Sequence, residues 1–146
     1  MATTTAAVTL TSDLLSDSMS VSTSTTCMKA GTTADGLDQM DMGYIEIAIG
    51  DQFDLLDSTV LSVNKANKLY VCNNSIDETY YVTIMIDAQA IGRLYAGDWM
   101  FFPWDADVVD LDANDSAVEA RAYTHDVTLE YCLFHNGETR PTSDDS

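Results

Sequence analysis

Alternation of apolar and polar positions organises this chain almost from its start. In SMSVSTSTTCMKA, Met19, Val21, Thr23, Thr25 and Cys27 fall on one face, while Ser20, Ser22, Ser24 and Thr26 fall on the other. β-branched residues at period two predict a half-exposed strand. AAVTLTS ahead of it predicts a second strand, and SDLLSD between them a turn or one helical turn capped by Ser12 or Asp13. GTTADGLDQMD reads as a loop. MGYIEIAIG is a strand with Ile45, Ile47 and Ile49 on one face and Tyr44, Glu46 and Ala48 on the other.

Further along, DQFDLLDSTVLSVNKA is ambiguous, because Phe53, Leu56 and Val60 sit at helical spacing and allow a short helix. KLYVCNNS is a strand ending in an Asn-Asn-Ser turn. ETYYVTIMID sets Tyr80, Val82, Ile84 and Ile86 against Tyr81, Thr83, Met85 and Asp87, so it predicts a central strand covered twice. AIGRLYAGD reads as a loop pivoting on Gly92 and Gly97. WMFFPW is a strand whose Pro103 marks its edge or end, VVDLD is short and strand-like, and AVEARAYTH and VTLEYCLFHN both alternate. Eight to ten short strands with at most one helix predict an all-β protein, an antiparallel β-sandwich of jelly-roll-like form. The expected division is a Thr/Ser-rich strand or arm over residues 1–30, a sandwich core over 31–137 and a polar tail over 138–146.

Composition sharpens this picture. The 146 residues suit one domain, and 46% hydrophobic residues are enough to bury a core without disulfides. Six basic residues face 24 acidic ones, for a formal charge of −18. Such a surface repels phosphate and anionic headgroups, so nucleic acid and membrane are not expected partners. Cys27, Cys72 and Cys132 show no CxxC spacing and are expected to be buried free thiols of a reducing cytosol. No signal peptide is read at the N-terminus.

Catalytic chemistry finds little footing. His125 and His135 accompany no nucleophile elbow, and no phosphate-binding glycine motif occurs. No enzymatic activity and no cofactor are expected. Asp105, Asp107, Asp110, Asp112 and Asp115 supply oxygen ligands at short spacing, which makes a structural Ca²⁺ the one metal candidate, although the EF-hand order is absent and a solvated acidic loop is the simpler account. The aromatic block is the main candidate feature. On a strand, Trp99, Phe101 and Pro103 share one face, and Met100, Phe102 and Trp104 the other. One face can fill the core and the second needs cover, so Trp99, Met100, Phe101, Phe102 and Trp104 are the candidate subunit interface. Both faces lying inside a doubly covered strand is the competing reading.

The pattern VTLTSDLLSDSMSVSTSTTCMKAGTTADGL, followed by KLYVCNNS, YYVTIMID, IGRLYAGDWMFFPWDA and AVEARAYTHDVTLEYCLF, resembles small β-sandwich virion structural proteins of tailed bacteriophages of marine and cyanobacterial type. The resemblance spans most of the chain, and its motifs are structural rather than catalytic. It implies a capsid decoration (cement) protein, made in the host cytoplasm and located on the virion. A homo-oligomer, a trimer favoured, would bind the major capsid protein. A tail or head–tail connector ring subunit with an acidic lumen, and a glycan-binding sandwich on a fibre, are the alternatives.

Overall fold

The computed structural model describes residues 4–14, 19–29, 31–37, 39–56, 67–86, 88–103 and 118–135. They form ten strands: β1 Thr4–Ser12, β2 Met19–Cys27, β3 Gln39–Ile47, β4 Gln52–Leu56, β5 Lys68–Asn73, β6 Tyr81–Ile86, β7 Gln89–Tyr95, β8 Trp99–Pro103, β9 Val118–Arg121 and β10 Val127–His135. No helix occurs among the described residues.

β1 and β2 pair along their full length as a two-stranded antiparallel ribbon, from Thr4 opposite Cys27 to Ser12 opposite Met19. The other eight strands form two antiparallel four-stranded sheets, in the orders β3-β10-β5-β8 and β4-β9-β6-β7. Only the β6–β7 hairpin joins neighbours within a sheet; every other connection among these eight strands crosses to the opposite sheet. That wrapping is the jelly-roll form of the β-sandwich.

Alternation decides what lies between the sheets. The first contributes Ile45, Ile47, Leu69, Val71, Val127, Leu129 and Leu133; the second contributes Leu55, Val82, Ile84, Leu94, Val118 and Ala120. Met100, Phe102 and Tyr131 pack against this cluster as partly buried neighbours. β6 is central, between β9 and β7, and is buried on both faces, with Met85 and Thr83 covered as well as Val82 and Ile84.

Three local readings are corrected. Gln52–Leu56 is a strand, not the start of a helix: Phe53 pairs with Ala120 and the neighbouring Leu55 is fully buried across a bulge, so sheet pairing outweighs the helical spacing. AIGRLYAGD is mostly strand, as β7 pairs with β6 from Gln89 to Tyr95, and Gly92 sits at a register shift rather than in a loop. Gly97 does occupy the turn that follows, with φ +90°. Ile49 does not extend the inward face of β3, which ends at Ile47; it is exposed in a turn, where its N–H donates to Asp126 Oδ1 at 2.7 Å. The Val60 region and VVDLD lie outside the described residues.

Candidate interaction surface

The outward side of β3-β10-β5-β8 is a grid fixed by strand register. Its rows run Met40, Phe134, Lys68, Pro103; then Met42, Cys132, Tyr70, Phe101; then Tyr44, Glu130, Cys72, Trp99. A sheet facing water ordinarily alternates apolar-in with polar-out. Here β3, β5, β8 and β10 carry sulfur and aromatic side chains outward as well.

The ribbon covers part of this grid. Thr4 to Val8 of β1 line a cleft of about 340 Å³ whose opposite wall is Tyr70, Trp99, Phe101, Cys132 and Phe134. Thr4, Ala6 and Val8 are half-buried, whereas Thr5 and Ala7 between them are exposed, so the first set faces the sheet. Small side chains therefore face large ones across the cleft. At the root of the ribbon, Cys27 and Leu37 are buried, and the Leu37 N–H donates to the Cys27 carbonyl at 2.9 Å.

β3 contributes nothing to the cleft. Its outward side chains Met40, Met42 and Tyr44 are 55%, 56% and 65% exposed, and Trp99 at the far edge is 52% exposed. The distal ribbon is bare too: Leu10 and Val21 face each other across the pair and are 53% and 46% exposed.

Electrostatics on the grid follow from burial. The Tyr70 hydroxyl is pushed up to about 12, first by desolvation, then by its hydrogen bond with Cys72 and by the charges of Cys72, Glu130 and Tyr44. The Cys132 thiol is raised by burial first and then by Asp41 and Glu130, which keeps it protonated. All three cysteines are free and buried. Tyr70 and Trp99 meet tilted, with ring centroids 6.4 Å apart, and Phe101 meets Phe134 edge-on at the same separation.

The candidate interface residues divide. Trp99 and Phe101 lie on the outward grid, Met100 and Phe102 pack inward, and Trp104 lies outside the described residues, as do Asp105, Asp107, Asp110, Asp112 and Asp115. Among the described residues, no group of three or more His, Cys, Asp or Glu side chains could hold a metal ion. The two histidines do not form one site. His135 is buried at the end of β10, its Nε2 3.0 Å from Asp41 Oδ2, whereas His125 precedes the start of β10 and stacks on Tyr80 at 4.1 Å.

Two features escaped the sequence reading. Met40 and Met42 were read within a loop and at the head of a strand, so the apolar half of β3 was not recognised as a surface. Asn73 was read as a turn residue. It is fully buried, and its Nδ2 donates to the carbonyls of Leu94 at 2.8 Å and Tyr80 at 3.3 Å, while its Oδ1 accepts from Ser75 N–H at 2.9 Å. Its own N–H donates to the Asp98 carbonyl and its carbonyl accepts from Gly97 N–H, so one side chain and its backbone tie β5 to the β7–β8 turn.

Comparison of the chain with family models, with curated proteins and with solved structures returns no match.

Proposed function

We propose that the chain is a virion structural protein of a tailed bacteriophage, a decoration (cement) protein that binds the major capsid protein on the outside of the shell as a homo-oligomer, a trimer favoured. The observation that carries this reading is the outward grid. A chain of charge −18 leaves Met40, Met42, Tyr44 and Trp99 more than half exposed on one sheet face. Exposed apolar side chains at both edges of one face, Met40, Met42 and Tyr44 on β3 and Trp99 on β8, are what a protein–protein contact uses on an otherwise acidic surface. The jelly roll supports the reading at the level of fold, since capsid domains use it, but lectins and cupins use it too, so the surface carries more weight than the topology. The charge keeps unassembled copies apart in the host cytoplasm and suits a face turned to solvent rather than to packaged genome.

Co-sedimentation of the purified protein with empty shells lacking it tests the reading. Saturable binding at a copy number set by the shell's symmetry is the expected result. Absence of binding, with rings forming in solution, would replace it with the tail or head–tail connector subunit.

A further inference from the structure

Two apolar surfaces of this chain are bare, and they match. One is the β3 side of the outward grid, Met40, Met42 and Tyr44; the other is the distal ribbon, Leu10 and Val21. Within one chain both stay about half exposed, and no β3 residue lines the cleft under the ribbon. A four-stranded face is about 19 Å wide and a two-stranded ribbon about 10 Å, at roughly 4.8 Å per strand. One ribbon thus covers about half the face, and its own β1 already lies over side chains of β5, β8 and β10. Leu10 lies about 7 Å along β1 beyond Val8, the last cleft-lining residue, at roughly 3.4 Å per residue.

We infer that the distal ribbon of one copy docks on the β3 half of the outward face of a second copy, with Leu10 and Val21 against Met40, Met42 and Tyr44. The occupant is fixed by chemistry already present in the fold. The proximal ribbon sets Thr4, Ala6 and Val8 opposite aromatic and sulfur side chains across the cleft in cis, and the same face of the same ribbon, continued to Leu10 and Val21, meets the same kind of surface in trans. The two contacting patches are different, so the contact is head-to-tail, which gives a ring where the rotation between copies closes and an open chain where it does not. None of the five contact residues is itself charged, while Glu130 borders Tyr44 on the grid and Glu46 follows it on the same face of β3, so screening by salt should strengthen the contact.

This inference rests on the reading of the chain as a self-associating subunit. Its test uses two full-length variants that leave the charge unchanged, Leu10→Asn with Val21→Asn (ribbon) and Met42→Asn with Tyr44→Asn (face), followed by sedimentation velocity and thermal melting. Each variant alone is expected to lose about tenfold or more in self-association. A mixture of the two is expected to give a one-to-one dimer that grows no further, because each copy retains the patch that the other lacks. The altered side chains are outside the core, so the melting midpoint of dilute protein should hold; single substitutions Leu10→Asn and Met42→Asn serve if a double variant melts early. Variants that assemble like the unaltered chain, or a mixture that stays monomeric, overturn the docking contact alone. An unaltered chain that remains monomeric at its highest soluble concentration overturns self-association and the contact together.

Discussion

Tyr131 lies directly over Gly43, its register partner on the neighbouring strand: a Cβ at Gly43 would stand 2.9 Å from the Tyr131 hydroxyl oxygen and 3.1 Å from Cζ. The glycine has ordinary strand geometry, so space, not φ, requires it. Gly43→Ala should move the Tyr131 ring out of its packing against the core. Overpacking of this kind costs about 1–3 kcal/mol, against about 0.5–1 kcal/mol gained in strand propensity. The net loss should lower the melting midpoint by about 3 °C, and Gly43→Val should lower it further. Calorimetry of the two variants checks the order.

Asn73 gives a second stability prediction. Asn73→Ala removes a buried donor and acceptor and leaves the carbonyls of Leu94 and Tyr80 without that partner. The expected loss is about 2–4 kcal/mol, from two to three hydrogen bonds at about 1–1.5 kcal/mol each. Urea denaturation should show a lower midpoint with an unchanged slope. Asn73→Asp should not rescue it, because a carboxylate cannot donate to those carbonyls.

Alternate residues of β8 should separate folding from association. Phe102 packs on the core, so Phe102→Ala should destabilise the monomer by about 2–3 kcal/mol. Trp99 stands half outside, so Trp99→Ala should leave the melting midpoint nearly unchanged while weakening shell binding. Parallel melting and co-sedimentation of the two variants decide it. Loss of glycan binding in Trp99→Ala with shell binding intact would favour the carbohydrate-binding alternative instead.

Tyr70 predicts an alkaline limit. Its folded hydroxyl is pushed up to about 12, above the ordinary value of 10.0. Below pH 10 both states hold the proton and the contribution to stability is complete. Between pH 10 and about 12 the unfolded chain loses the proton first, so stability falls as pH rises. Ultraviolet titration should show one of the seven tyrosines ionising last, and Tyr70→Phe should remove that step. An unaltered late step in the variant would assign it to another tyrosine.

Association should strengthen with salt. Copies of charge −18 repel over about 30 Å at 0.01 M ionic strength but over only about 8 Å at 0.15 M. Sedimentation in a chloride series should show self-association rising over that interval. A trend in the opposite direction would mean that ion pairs, not apolar contact, hold the copies.

The strands were legible where alternation was clean. Ile45 and Ile47, Tyr81 to Ile86 and Val127 to Leu133 all lie on the faces that their period of two assigns. Legibility failed where pairing partners overrode local pattern: Phe53 and Leu56 match a helix as well as a bulged strand, and the glycines around Arg93 suggest a loop although β6 holds that segment in register. The candidate surface was half legible. The aromatic block shows in the sequence, but its opposite side at Met40, Met42 and Tyr44 is joined to it only by the strand order β3-β10-β5-β8, which no local window contains.

Gln39 and His135 are register partners, so the sandwich begins and ends at one corner. Tension applied at Gln39 and His135 would peel β3 from β10 one hydrogen-bonded pair at a time, the weak direction of a ladder. A sandwich built this way yields more readily when drawn apart at that corner than when sheared along its strands.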